Sequence, residues 1–356
     1  MTAAIQETAK LLVSCRCPVI SVDSDIHGCR SVIALAERVG AAYDHVRGSE
    51  LAEEAALFTD HGGFFTTPLE TRRRADLIVL VGEIPAAHHE LLLSWHEVRP
   101  DLAPSHKRRW FHISGARREE SASEISSVLK RVKASVVEAS AQPLAAVLAS
   151  ARAGLGGRKS VGTVEGLDEL AAALQKAAFP VFVFSGRQQG IFTLAMLQGL
   201  VSDLNRSRRA TSLFLPSDDK AWGLLLASVW MTGFPPRTGF GTGKPVYDPR
   251  LANIGRMIAE READLQLLVM DGDGDPPAQR RGLPLVAFLP TDRPAAGAAV
   301  TIKIGRAGID HDGVFYSSRI GTLSAVNASA PSDRPPLSAV LRELADALTE
   351  REALPC

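Results

Sequence analysis

Acidic residues occupy the positions where an α/β protein usually receives its ligand. Leu77–Val81 is an unbroken apolar run that meets Gly82-Glu83-Ile84-Pro85, and Leu265–Met270 likewise runs into Asp271-Gly-Asp273-Gly-Asp275. Short apolar runs without alternation, bounded by turn residues, read as central parallel strands buried on both faces. In an open sheet of this kind ligands sit at the carboxyl ends of the strands. Glu83 and Asp271 therefore stand at two ligand turns, and both bring negative charge.

Other candidate chemistry is weaker. Asp271–Asp275 imitates the first half of a calcium loop, but Pro276 stands where the tight-turn glycine belongs and Gly282 where the bidentate glutamate belongs, so a solvated turn is expected. Cys15, Cys17, Cys29 and Cys356 have no disulfide or zinc spacing and read as buried or idle thiols. His88, His89, His96, His106 and His112 lack helical pairing, which suggests surface or capping roles. In Gly157-Arg-Lys159-Ser160 an arginine separates glycine from lysine, no glycine sits at the required upstream distance and no strand feeds it, and Gly239-Phe-Gly-Thr-Gly243 is followed by Pro245 and not by a helix, so neither is a phosphate loop. No serine sits in a nucleophile elbow. Arg72–Arg74 and Lys107–Arg109 precede strands; they read as a solvated rim, with attraction of an acidic partner as the sharper alternative.

The elements that position these residues follow from periodicity. Helices are expected over Thr2–Ser14, Gly28–Val39 with Gly40 as C-cap, Glu50–Phe58, Ala86–Trp95, Glu124–Lys133, Leu144–Ala153, Gly166–Ala178, Leu194–Leu204 and Leu337–Thr349. Strands are expected at Pro18–Val22, Leu77–Val81, Arg109–Ile113, the run after Phe179, Leu265–Met270, Leu285–Leu289 and Val300–Ile304. Trp222–Asp248, rich in glycine, proline and aromatics, reads as an irregular excursion suited to a subunit contact. The 40 basic and 40 acidic residues of the 356-residue chain balance, giving no global case for nucleic acid or a membrane surface. No run approaches the ~20 apolar residues of a membrane span, and the N-terminus lacks a leader pattern, so the cytoplasm is expected.

Cys17-Pro-Val and Phe179-Pro-Val open the same helix–strand–turn–helix unit twice, which suggests one sheet left and re-entered. With a linker at Gly154–Arg158, the expectation is an outer domain of residues 1–43 plus 159–356 and an inserted domain of residues 44–158.

The order of the pieces resembles the B subunit of formylmethanofuran dehydrogenase, a molybdopterin oxidoreductase-type family. The segments that carry the resemblance are Pro18–Val22, Asp44-His-Val-Arg-Gly48, Arg74–Pro85 and Ala307–Gly321, over about residues 3–348. It implies two Rossmann-like, doubly wound domains comparable to domains II and III of formate dehydrogenase and DMSO reductase, without the iron–sulfur N-terminal domain. It also implies a pterin cleft, and here the sequence departs from the family. Arg47 stands where a metal-binding cysteine or selenocysteine is usual, and arginine has no lone pair to donate. Gly82-Glu83-Ile84-Pro85 and Ser114-Gly-Ala116-Arg117 stand in place of the family's phosphate turns, and Glu83 and the Asp271–Asp275 turn would both work against a dianionic pterin–nucleotide. A carboxylate ~6 Å from a phosphate charge costs on the order of 3 kcal/mol at an effective dielectric near 20.

This combination is similar to the degenerate B subunit of the methylotroph formyltransferase/hydrolase complex. That similarity implies a non-catalytic scaffold with no cofactor or metal of its own. Its implied partners are amidohydrolase-type and formyltransferase-type subunits, in one-carbon metabolism linked to tetrahydromethanopterin and methylofuran. Arg47 would be a candidate to guide the carrier's polyglutamate tail. The alternatives are a working molybdenum or tungsten pterin dehydrogenase subunit and a stand-alone small-molecule binding module.

Overall fold

The computed structural model describes residues 2–60, 62–104, 106–114, 124–138, 142–158, 164–186, 190–272, 274, 282–291 and 295–352. In chain order the first elements are α1 (Thr2–Ser14), β1 (Pro18–Asp23), α2 (Ile26–Val39), β2 (Ala42–His45), α3 (Gly48–Asp60), α4 (Pro68–Arg74), β3 (Leu77–Val81), α5 (His89–His96) and β4 (Arg109–Ser114). The middle of the chain supplies α6 (Glu124–Val132), β5 (Ser135–Glu138), α7 (Leu144–Leu155), α8 (Leu167–Lys176), β6 (Pro180–Phe184), α9 (Gly190–Asn205), β7 (Thr211–Phe214) and α10 (Asp219–Thr232). After these come β8 (Thr238–Gly239), β9 (Val246–Tyr247), α11 (Ile254–Ala259), β10 (Leu265–Met270), β11 (Leu285–Leu289), β12 (Val300–Lys303), β13 (Gly313–Ser317), β14 (Thr322–Val326) and α12 (Leu337–Glu352).

Two compact α/β units result. The first comprises Met1–Ala52, Asp218–Tyr316 and Leu323–Cys356; the second comprises Glu53–Ser217 and Ser317–Thr322. The first unit's sheet runs β12-β11-β10-β1-β2-β8-β9, parallel until the antiparallel β8 and β9. The second unit's sheet runs β5-β4-β3-β6-β7, parallel throughout.

The two sheets are built alike, down to how their central pairs are pinned. Pro18 pairs in register with Leu265, and Pro180 with Leu77. The Asp264 carboxylate accepts from the N–H groups of Arg16 (2.7 Å) and Cys17 (2.9 Å), just before β1. Asp76, one residue before β3, accepts from Ala178 (2.7 Å) and Phe179 (2.9 Å), just before β6. The repeated Pro-Val unit therefore records the same arrangement in two sheets, which corrects the expectation of one sheet re-entered.

The domain boundary moves for the same reason. The expected outer domain takes in residues 159–217, yet β6 pairs with β3 and β7 with β6, so the return to the first unit comes at Asp218. Gly154 and Leu155 end α7 instead of linking domains, and Lys159 and Ser160 lie outside the described residues.

Trp222–Thr232 is also helical, contrary to the expected irregular excursion. Asp218 caps α10 through its carboxylate, accepting from Lys220 (2.8 Å) and Ala221 (3.3 Å), and Gly233 ends it. The helix buries Trp222, Leu224 and Leu225 together with Gly223 and Ser228, so little amphipathic contrast marks it in the sequence. Among the described residues, no helix is long and apolar enough to cross a membrane.

Candidate functional site

In the first unit the chain winds outward from β1 to β2 on one side and from β10 to β11 and β12 on the other. The topological switch point lies between β1 and β10, where doubly wound proteins receive their ligands. Asp23 ends β1, Ser24 and Asp25 follow it, and Asp271 follows β10. Asp271 is buried; its Oδ2 accepts from Ser24 Oγ (2.7 Å) and the Asp25 N–H (3.1 Å), and its Oδ1 from Lys220 Nζ (2.6 Å). Lys220 also lies 3.7 Å from Asp23. Burial pulls the Lys220 ammonium pKa down, but the charges of Asp271 and Asp23 outweigh it and the pKa is raised.

Asp25 closes the neighbouring helix end. Its Oδ1 accepts from Gly28 N (2.8 Å) as the N-cap of α2, and its Oδ2 from Val314 N (3.1 Å). The N-terminus that could cradle an anion is thus already occupied by a carboxylate from the chain itself. The expected solvated turn at Asp271 is corrected here to a buried three-way junction. Asp273 and Asp275 lie outside the described residues.

Arg47 follows β2. Its guanidinium is exposed and pairs with Asp218, and the Arg47 backbone N–H donates to His45 Nδ1 (3.1 Å). His45 is buried, its pKa lowered to about 4 by burial first, with Arg47 and Lys220 adding to the effect. Its Nε2 has no hydrogen-bond partner among the described residues. Asp44 beside it is pushed up to about 6 by burial, although Arg237 Nε donates to it at 3.0 Å. These side chains border a cavity of about 660 Å³ that is also lined by Glu50, Asn253 and Gln266. Arg47 and Arg237 are balanced there by Asp44 and Glu50.

The second unit repeats the theme. Its switch point lies between β3 and β6. Gly82 turns with φ 66°, Glu83 after it is exposed, and the turn is braced by His112 Nε2 on Gly82 O (3.1 Å) and His89 Nε2 on Ile84 O (3.1 Å). His88 binds Pro216 O (2.8 Å), and both His88 and His112 are buried, which corrects their expected surface role. The carboxyl end of β6 lies under the buried Glu54, whose Oε1 accepts from Ser217 N (2.8 Å). A Cβ on Gly186 would stand 2.6 Å from Glu54 Cγ, so only glycine fits beneath it. Ser114 ends β4, buried, with its Oγ unpartnered among the described residues; the turn beyond it lies outside them.

Of the residues singled out in the sequence, Arg47 and Asp271 therefore belong to the first unit, and Glu83 and Ser114 to adjacent strands of the second. Lys220, Asp25, His45, Arg237 and Glu54 were missed. Asp23-Ser24-Asp25 before a helix is a recognisable capping signal, whereas the roles of Lys220 and Glu54 depend on contacts distant in sequence.

A metal-bound, dianionic pterin is the group that this fold family implies, and the residues present do not fit it. At the first switch point Lys220 is taken up by Asp271 and Asp23, while Asp25 adds a third carboxylate bound to the N–H groups of Gly28 and Val314. Burial raises the pKa of Cys15 to about 11, raises that of Cys17, and lifts that of Cys29 well above the usual range, so these sulfurs are thiols and not metal-ready thiolates. Among the described residues, no group of three or more His, Cys, Asp or Glu is placed to hold a metal ion.

Fold and crevices thus define a class: a two-unit, doubly wound α/β protein whose ligand turns are filled by its own carboxylates. No protein-family model matches the chain. It is 30% identical over 359 residues to the B subunit of the formyltransferase/hydrolase complex Fhc of Methylorubrum extorquens, covering 98% of this chain and 95% of that protein. It is 24% identical over 342 residues to the B subunit of the tungsten-containing formylmethanofuran dehydrogenase 2 of Methanocaldococcus jannaschii, covering 88% and 75%. A chain in the crystal structure of the M. extorquens complex FhcABCD with methylofuran superposes with a TM-score of 0.86 at 28% identity, covering 99% of this chain and 97% of that one. The chain belongs to the family of formyltransferase/hydrolase complex B subunits.

Proposed function

We propose that this chain is a structural, non-catalytic subunit of a cytoplasmic formyltransferase/hydrolase complex in one-carbon metabolism linked to tetrahydromethanopterin and methylofuran. It would hold amidohydrolase-type and formyltransferase-type subunits together and carry no redox cofactor. The observation that carries this reading is the Lys220–Asp271–Asp23 junction in the first switch point, which puts protein charge where an anionic cofactor would need donors. A working pterin dehydrogenase would need that junction opened. The free thiols of Cys15, Cys17 and Cys29 suit a reducing compartment.

Assembly needs a contact surface, and part of the stretch expected to supply one is exposed. On the first unit, Trp230 (57% exposed), Met231 (41%), Phe234 (39%) and Val246 (44%) are open, and Phe234 stacks on Tyr247 at 6.3 Å. Tryptophan, methionine and the other aromatics are the types enriched in interface cores. Arg47 remains a candidate contact for the carrier's polyglutamate tail.

Co-expression with the transferase and hydrolase subunits tests this. Trp230→Ala is expected to weaken assembly by at least about 30-fold, the loss of about 2 kcal/mol typical of a buried aromatic anchor. Wild-type chain that purifies alone in the presence of those subunits would overturn the reading.

A further inference from the structure

The cavity of about 660 Å³ beside β2 is separate from the cofactor turns, because it reaches along the face of the first unit's sheet beneath α11. Gln266 pairs in register with Val19 and Ser21 with Asp44, so these side chains of β10, β1 and β2 share one face. Ile254 and Met257 of α11 pack on Val19 and Ala42 of that face, and Ile254 and Ile258 wall the cavity. Both of its arginines are engaged. Arg237 Nε donates to Asp44 (3.0 Å), Nη1 to Pro249 O (2.8 Å) and Nη2 to Ser49 Oγ (3.3 Å), from a left-handed backbone with φ 66°. Arg47 is taken up by Asp218. A Cβ on Gly48 would collide with the Asp44 carboxylate, so the glycine leaves that acid its place. The groups left over are acceptors. Gln266 is 8% exposed; its Nε2 donates to Ser21 Oγ (3.4 Å), while its Oε1 has no hydrogen-bond partner among the described residues. Glu50 makes no ion pair among the described residues, so the uncompensated charge is negative.

We propose that this cavity binds a primary amine, an alkylammonium head carried on a compact apolar body. An ammonium brings three donors and a positive charge to a site whose leftover groups are a carboxamide oxygen and a carboxylate. The wall of Ile254 and Ile258 suits an apolar body, and the volume lies in the ordinary range for small-molecule sites. A carboxylate or phosphate ligand would meet Glu50 with both arginines already engaged. A bare metal ion would find no set of three ligands among the described residues. The site goes beyond the assembly reading and does not depend on it, because it lies wholly within the first unit.

Titration calorimetry of the full chain with phenethylamine, phenethyl alcohol and phenylacetate tests the proposal, because the three probes share a phenyl body and differ in the head group. Phenethylamine is expected to bind saturably and at least about tenfold more tightly than the alcohol, since hydrogen bonds made by a charged donor are the stronger ones. Phenylacetate is expected not to bind. Gln266→Met keeps the length of the side chain and removes the acceptor, and should weaken amine binding about tenfold. Glu50→Gln should weaken it roughly two- to fivefold, as for an exposed ion pair. Glu50 is exposed in the first turn of α3, so this second variant should keep the fold even if Gln266→Met does not, as circular dichroism would verify. Glu53→Gln, on the same helix but outside the cavity, is the comparison and should bind as wild type. Equal binding of amine and alcohol, preference for phenylacetate, no saturable binding of the amine, or an amine affinity unchanged in Glu50→Gln would overturn the proposal.

Discussion

Replacing Lys220 with methionine separates a structural junction from a ligand site. In the folded chain Lys220 Nζ stands 2.6 Å from Asp271 and 3.7 Å from Asp23, with Asp271 only 4% exposed. Methionine keeps most of the volume but leaves two carboxylates facing each other without a cation. Breaking a buried pair by removing one partner costs about 3–5 kcal/mol, a large share of a typical domain stability of about 5–15 kcal/mol. For a unit of this size, about 2–4 °C are lost per kcal/mol, so calorimetry should show the first unit's transition lowered by roughly 6–20 °C. The double variant Lys220→Met/Asp271→Asn should recover about 2 kcal/mol of that loss, because the stranded charge is gone. Alkali should mimic the single variant: Lys220 has a raised pKa in the fold, so its contribution is complete below its unfolded value of 10.5 and fades as pH climbs through the folded one. If Lys220 were instead a ligand-facing cation, Lys220→Met would leave the transition within about 2 °C of wild type. That outcome would refute the junction.

The remaining predictions concern pH. Asp44, raised from 3.8 to about 6, keeps its proton longer in the fold, so its contribution to stability falls as pH rises through that window. His45, lowered from 6.5 to about 4, is neutral in the fold while the unfolded chain is protonated, so its contribution rises with pH over nearly the same window. Each is worth about 3 kcal/mol, and the wild type should be nearly flat between pH 4 and 6.5. Urea midpoints for His45→Gln should fall from pH 4 to 6, and those for Asp44→Asn should rise from pH 4 to 6.5. Parallel profiles in both variants would show that these two side chains are not the groups titrating.

How much of this could be read from the sequence depended on locality. Leu77–Val81 and Leu265–Met270 declared themselves because five or six consecutive apolar residues leave no other economical reading. Gly40 marked the end of α2 for the same local reason. The four-residue strands β2, β5 and β7 carry too little pattern: Ala42-Tyr-Asp-His45 is wholly buried, with Asp44 met by Arg237 and the His45 N–H and Tyr43 by Ser228. The site divided along the same line. Glu83 and Asp271 were visible as charges after strands, and Arg47 through the family resemblance, but what Asp271 does depends on Lys220, 51 positions away. Nothing near Glu54 in sequence announces that it covers Gly186. Recognition of the repeated Pro-Val unit was sound; assigning it to one sheet failed because the pairing partners, Leu265 and Leu77, come from different units.

The central claim is that protein side chains have taken the place of an anionic, metal-bearing cofactor in a chain whose work is assembly. The most direct test is native mass spectrometry of the complex purified through this chain, with elemental and pterin analysis of the same sample. Stoichiometric transferase-type and hydrolase-type chains, without molybdenum, tungsten or pterin, are the expected result. A pterin and one heavy metal per copy of this chain would contradict the account.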